Sequence, residues 1–169
     1  MTCDATADAC WEAYLRSLPA DAAVPPPYVE ASAFGAEGED ELADRLAALV
    51  EQGIKTATSS LLRYYQAGNH PIEQAGDHCI VLDAAGQPRC IIEMTEIRTI
   101  PFGDVDAAFA ADYGEGERTL AWWRQDLGNY YANEAASLGW SFNAGTPLVC
   151  KRFRVVFRCG APETPPGQA

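Results

Sequence analysis

The sequence predicts a single α+β domain, and three observations predict it. Apolar residues recur at helical spacing near both ends of the first fifty positions and again after residue 119. Three β-rich runs, at 79–82, 90–94 and 148–157, stand apart from those helical patterns rather than alternating with them. The length of 169 residues, with 48% hydrophobic and 21% charged, is enough for one buried core.

The first helix is expected within residues 1–23, where Trp11, Tyr14, Leu15 and Leu18 fall on one helical face. Val24-Pro25-Pro26-Pro27-Tyr28 breaks it, because three prolines enforce an extended connector without amide donors. Ala33-Phe34-Gly35 leads into an acidic loop, and a helix follows from about Asp40 to Gln52, with Leu42, Leu46, Leu49 and Val50 on its buried face. Acidic residues in its first turn suit the positive end of the helix dipole. Gly53 suits the position just past its end.

Leu61, Leu62, Tyr64 and Tyr65 suggest one or two further helical turns, and residues 68–76 form a loop. Cys79–Leu82 and Cys90–Met94 read as a hairpin about the turn 83–88. Glu93 interrupts the second strand, so its carboxylate must face solvent, a cation or a polar cleft. A short helix is expected at Val105–Ala111, then a glycine-rich acidic loop at Asp112–Glu117. Its charge and spacing are wrong for cradling a phosphate. Thr119 opens a helix to about Ser137, with Leu120, Trp123, Leu127, Tyr130 and Tyr131 on one face and Gly139 stopping it. On the last strand, 148–157, Val149, Lys151, Phe153, Val155 and Phe157 share one face. Residues 159–169 are expected to be a flexible tail.

The candidate chemistry sits at Gly53-Ile54-Lys55-Thr56-Ala57-Thr58-Ser59-Ser60. A lysine three residues ahead of a threonine suits a base with a nucleophile. It equally suits a cation facing an anion or a carbonyl oxygen. Lys55 also falls near the negative end of the preceding helix, where a cation complements the dipole. Lys151, Arg152, Arg154 and Arg158 are four of only 12 basic residues, and they read either as an anion-binding stripe or as a solvated strand face.

Composition limits the partners. A net charge of −12 disfavours polyanions and anionic membranes unless positive charge is gathered on one face. No apolar run approaches the roughly 18 residues of a membrane helix. The first nine residues carry no secretion signal. The 6 cysteines show no CxxC and the 2 histidines no zinc spacing, so reduced thiols and a cytoplasmic location are expected.

Several pieces in order resemble a known family. They are Ala33-Phe34-Gly35, Gly53-Ile54-Lys55-Thr56-Ala57-Thr58, Gly76-Asp77, Cys90-Ile91-Ile92-Glu93-Met94-Thr95, Pro101-Phe102, Gly114-Glu115-Gly116-Glu117, Trp123-Arg124 and Leu148-Val149-Cys150. Together they resemble the ASCH domain, a relative of the PUA domain, over about residues 31–157. The resemblance implies a PUA-like small β-barrel with flanking helices and a cleft on one side. The organisation is then an N-terminal helix and connector (1–30), the domain (31–158) and the tail (159–169).

The resemblance also implies an association with RNA and one of two hydrolytic activities. One is divalent-metal-assisted cleavage of single-stranded RNA, with magnesium or manganese. The other removes the acetyl group of acetylcytidine, with a lysine as base, a threonine three residues on as nucleophile, and a downstream glutamate. Lys55 and Thr58 match the first two. Tyr113 stands where the family commonly has an acidic residue, and Glu115, two places on, or Glu93 is the candidate carboxylate.

The expected function is therefore recognition of RNA, a nucleotide or a nucleoside by a hydrolase, with metal-assisted ribonuclease leading. An acetylcytidine amidohydrolase and a non-catalytic binding module are the alternatives. Lys55, Thr58, Glu93 and Glu115 are the expected catalytic residues. Thr56, Ser59, Tyr113, Arg152 and Arg154 are the expected contacts to the ligand, and Trp122, Trp123, Tyr113 or Tyr64 offers a surface for a base. Oligomeric state is left open.

Overall fold

The computed structural model describes residues 6–160. The first residues of the expected N-terminal helix and the tail beyond residue 160 lie outside them. The elements run α1 (Ala7–Ser17), β1 (Glu30–Ala33), α2 (Asp40–Glu51), β2 (Ala57–Leu61), α3 (Leu62–Gly68), β3 (His78–Leu82) and β4 (Pro88–Pro101). A 3-10 turn at Phe102–Asp104, α4 (Ala107–Asp112), α5 (Leu120–Ser137) and β5 (Pro147–Arg158) complete them. The five strands form one mixed sheet in the order β1-β3-β4-β5-β2. β1 pairs parallel with β3, and β2 pairs antiparallel with β5. The α+β class is as expected.

Two compact units are distinguished. Among the described residues the first holds 6–51, 78–92 and 155–160; the second holds 52–77 and 93–154.

In the first unit Cys10, Trp11 and Tyr14 of α1 pack with Ile80 and Ile91, and Tyr28 and Phe157 join the cluster. Burying each such side chain is worth about 1.5–3 kcal/mol. Thr6 caps α1 by accepting from the Ala9 amide at 3.2 Å. The Tyr28 hydroxyl donates to Asp8 at 2.6 Å, which ties the proline connector back to α1. Cys10 and Cys159 form a disulfide with their Cα atoms 5.5 Å apart. The expectation of reduced thiols is corrected there, and it holds for the buried Cys79, Cys90 and Cys150. The buried face of α2 is Ala43, Leu46, Ala47 and Val50. Leu42 and Leu49 are only half-buried, so the face is turned from the expected one.

The second unit has its own core of Ala57, Leu61, Val105, Phe109, Tyr113, Trp123, Leu127, Tyr131, Leu148 and Cys150. Two capping side chains fix its helices. Asp106 accepts from the Phe109 amide at 2.8 Å, and Thr119 from the Trp122 amide at 3.1 Å. Tyr130, expected on the buried face of α5, is 42% exposed, and small Ala135 takes the core position instead. β4 also runs seven residues further than the sequence suggests, through Glu96, Arg98 and Pro101.

Candidate active site

The segment 53–56 is a turn held on both sides. Gly53 takes a left-handed φ of 72°. The Thr56 amide donates to the Asp112 carbonyl at 2.8 Å, and the Phe153 amide donates to the Thr56 carbonyl at 3.0 Å. The Thr56 hydroxyl adds a 3.2 Å bond to the same Asp112 carbonyl. The loop after α4 therefore lies directly against this turn. Gly114 makes that possible. It has φ 72°, and a Cβ there would stand 2.4 Å from the Ile54 carbonyl oxygen and 2.5 Å from Lys55 Cα. Only glycine tolerates both the conformation and the approach.

This docking delivers Glu115 to Lys55. Lys55 is 1% exposed. Its Nζ donates to Glu115 Oε1 at 2.7 Å, to the Ala57 carbonyl at 2.8 Å and to the Tyr113 carbonyl at 3.2 Å. It also lies 3.7 Å from the centre of the Tyr113 ring. Burial pushes its pKa below the ordinary 10.5, while the charge and hydrogen bond of Glu115 push back. Burial is the larger of these influences.

Along β2 the side chains alternate. Ala57, Ser59 and Leu61 are buried, whereas Thr58 and Ser60 are half-buried. Ser59 Oγ lies 2.6 Å from the Tyr131 hydroxyl and 3.5 Å from that of Tyr113, a hydroxyl chain inside the core. Burial raises both phenols; the Ser59 and Thr58 hydroxyls ease the shift at Tyr113. Thr58 stands opposite Lys151 of β5. Lys151 is buried, and its Nζ donates to the Tyr65 hydroxyl at 2.9 Å and to Glu73 Oε1 at 2.7 Å. Tyr65 in turn donates to Glu73 Oε2 at 3.3 Å. Sequence reasoning missed Tyr65 and Glu73. The one visible signal was Lys151 itself, a lysine on the apolar face of a strand.

The basic residues of β5 are already engaged. Arg152 donates to Asp112 Oδ2 at 2.9 Å and to Glu96 Oε2 at 2.6 Å, and Arg154 donates to Glu93 Oε2 at 3.1 Å. Arg158 donates to the Glu51 carbonyl at 3.0 Å. Arg152 is half-buried among its carboxylates, whereas Arg154 and Arg158 are exposed, so that part of the strand is the solvated face expected. Arg152 also borders a cavity of about 290 Å³ with Arg98, Ile100, Asp104, Asp106 and Phe109. Of the aromatics expected to offer a surface for a base, Trp123 and Tyr113 are buried, Trp122 is half-buried and Tyr64 is exposed.

Glu115 thus meets Lys55, while Glu93 is paired with Arg154. Among the described residues, neither carboxylate joins a group of three metal-ligand atoms within 4.8 Å of one another. Among the described residues no helix is long and apolar enough to cross a membrane.

Comparison with known proteins adds the family. The profile described as the ASCH domain matches residues 30–157. The crystal structure of an ASCH domain from Lactobacillus crispatus JV V101 is similar with a TM-score of 0.79 and 32% identity, covering 89% of this chain and 94% of that one. The protein EF3133 from Enterococcus faecalis V583 is similar with a TM-score of 0.73 and 30% identity, over 91% of this chain and 94% of that one. No curated protein matches.

Proposed function

The chain belongs to the ASCH domain family, and from that premise we propose that it is a hydrolase removing an acyl group from the nitrogen of a cytidine-type nucleoside. The observation that carries this reading is Lys55. It is buried, its pKa is lowered, and it is bonded to Glu115 at 2.7 Å. A buried lysine held by a carboxylate that borders solvent suits a proton carrier.

The chemistry follows from that pair. Glu115 is 16% exposed at its side chain and borders solvent. Loss of one Nζ proton to solvent, past Glu115, leaves a neutral amine. The amine takes the Thr58 hydroxyl proton as Oγ1 attacks the acyl carbon, then returns a proton to the departing nitrogen. An acyl-threonine remains, and water releases it by the same route.

Charge supports a nucleoside over an RNA strand. The chain carries −12, and the cations of β5 are engaged by carboxylates and a carbonyl. Few cations remain to replace the counterions of a phosphate backbone. No step here is routed through a metal.

The test is acetate release from acetylcytidine by the wild-type protein, Lys55→Ala and Thr58→Ala, without added metal. The wild type should release acetate, and each variant should lose about 100- to 10,000-fold of the rate. Cleavage of labelled single-stranded RNA, stopped by chelator, with no acetate released, would overturn the reading in favour of the ribonuclease. Binding of nucleoside without turnover would replace it with a binding module.

A further inference from the structure

We propose that Lys151 and Tyr65 form the oxyanion-binding donors of this site, a role that rests on the hydrolytic reading above. The position comes from sheet register. Thr58 is directly opposite Lys151 in the antiparallel β2–β5 ladder. Residues so paired put their side chains on one face, with Cβ atoms about 4.5–5.5 Å apart. Thr58 and Ser60 are half-buried there, and the Thr58 hydroxyl also reaches that of Tyr113, against whose ring Lys55 lies.

The donor count separates the two buried lysines. Lys55 spends three protons on three protein acceptors. Lys151 spends two, on Tyr65 and Glu73. An ammonium has three, so one N–H of a 7% exposed lysine is left for a ligand at Thr58. Tyr65 is arranged in the same way. Its hydroxyl accepts from Lys151 at 2.9 Å and also bonds with the Ser60 side chain, and its own proton goes to Glu73 at 3.3 Å. That bond is long for O–H···O and readily exchanged for a closer acceptor.

The fold alone does not call for this arrangement. A buried ion pair is seldom more stabilising than well-packed apolar side chains of the same volume. A cation held in place by Glu73 beside the nucleophile does suit a charge that appears only in the transition state. As the Thr58 Oγ1–carbon bond forms, the carbonyl π electrons move to oxygen and the hydroxyl proton moves to Lys55. The oxyanion accepts from the third N–H of Lys151 and from the Tyr65 hydroxyl. Its collapse restores the carbonyl, breaks the carbon–nitrogen bond and sends a proton from Lys55 to the leaving nitrogen.

The deciding protein is the double variant Lys151→Met with Glu73→Gln, which leaves no unpaired charge in the interior. On acetylcytidine its kcat should fall about 100- to 1,000-fold with KM within about threefold of wild type, and its far-UV circular dichroism should be unchanged. Tyr65→Phe should lower kcat about tenfold by removing the second donor. A double variant that keeps wild-type kcat, while Thr58→Ala is inactive, overturns this assignment and leaves the hydrolase standing. A double variant that loses its secondary structure, with Tyr65→Phe at wild-type kcat, assigns the triad to folding and overturns it as well. A wild-type protein that releases no acetate overturns both.

Discussion

Lys55 loses its proton more readily than a lysine in water because burial outweighs the support of Glu115. Only the neutral amine accepts the threonine proton, and its fraction grows as pH rises through the folded pKa. The ascending limb of the kcat/KM profile should therefore lie below pH 10.5, the ordinary lysine value. Glu115→Gln removes the charge that props the pKa up, so the limb should move to lower pH while kcat falls. A limb that stays put in this variant would dissociate Glu115 from the lysine. Gly114 is the second residue on which the pair depends. Gly114→Ala introduces a methyl group at 2.4 Å from the Ile54 carbonyl oxygen in a left-handed conformation. It should lower unfolding stability by about 2 kcal/mol or more, measured in urea, and should impair kcat along with it.

Among the elements, α5 rests on its Thr119 cap. Thr119→Ala leaves the Trp122 amide without its 3.1 Å acceptor and should cost about 1 kcal/mol, again by urea unfolding, with KM unchanged. α5, α3, β3 and β5 were legible in the sequence because periodicity, caps and turn residues agree there. β1 was not. Glu30-Ala31-Ser32-Ala33 has little β propensity, and its parallel pairing with β3 makes it a strand. The α2 and α5 faces were misread for a related reason. Large apolar side chains were taken as the buried ones, yet Ala43, Ala47 and Ala135 fill the tight positions. At the site, Lys55 and Glu115, which the structure pairs, could be singled out, since a lysine among hydroxyls and a carboxylate in a glycine loop are local signals. Tyr65 and Glu73 could not. Tyr65 meets Lys151 across 86 residues, and nothing local marks such a contact.

For the molecule as a whole, acidity and pairing of the cations should show in salt dependence. Between 50 and 200 mM salt, the KM for acetylcytidine should change by less than about twofold, because no phosphate counterions are released. A steep loss of affinity with salt would instead indicate that a phosphate chain is bound. The Cys10–Cys159 disulfide sits at the other end of the scale. It joins positions 149 apart in the sequence and so constrains the unfolded chain, by up to about 5 kcal/mol in the chain-entropy account. A dithiol reductant should lower the unfolding midpoint of the wild type and leave that of Cys159→Ser unaltered.

That bridge also makes the polypeptide a ring under tension. Both compact units are strung between Cys10 and Cys159, so a pull on the two ends meets a covalent bond before any strand of the sheet. In a force-extension trace the oxidised protein should show no release of the chain between the two cysteines. After reduction it should release a further contour of about 149 residues, roughly 500 Å at some 3.5 Å per residue.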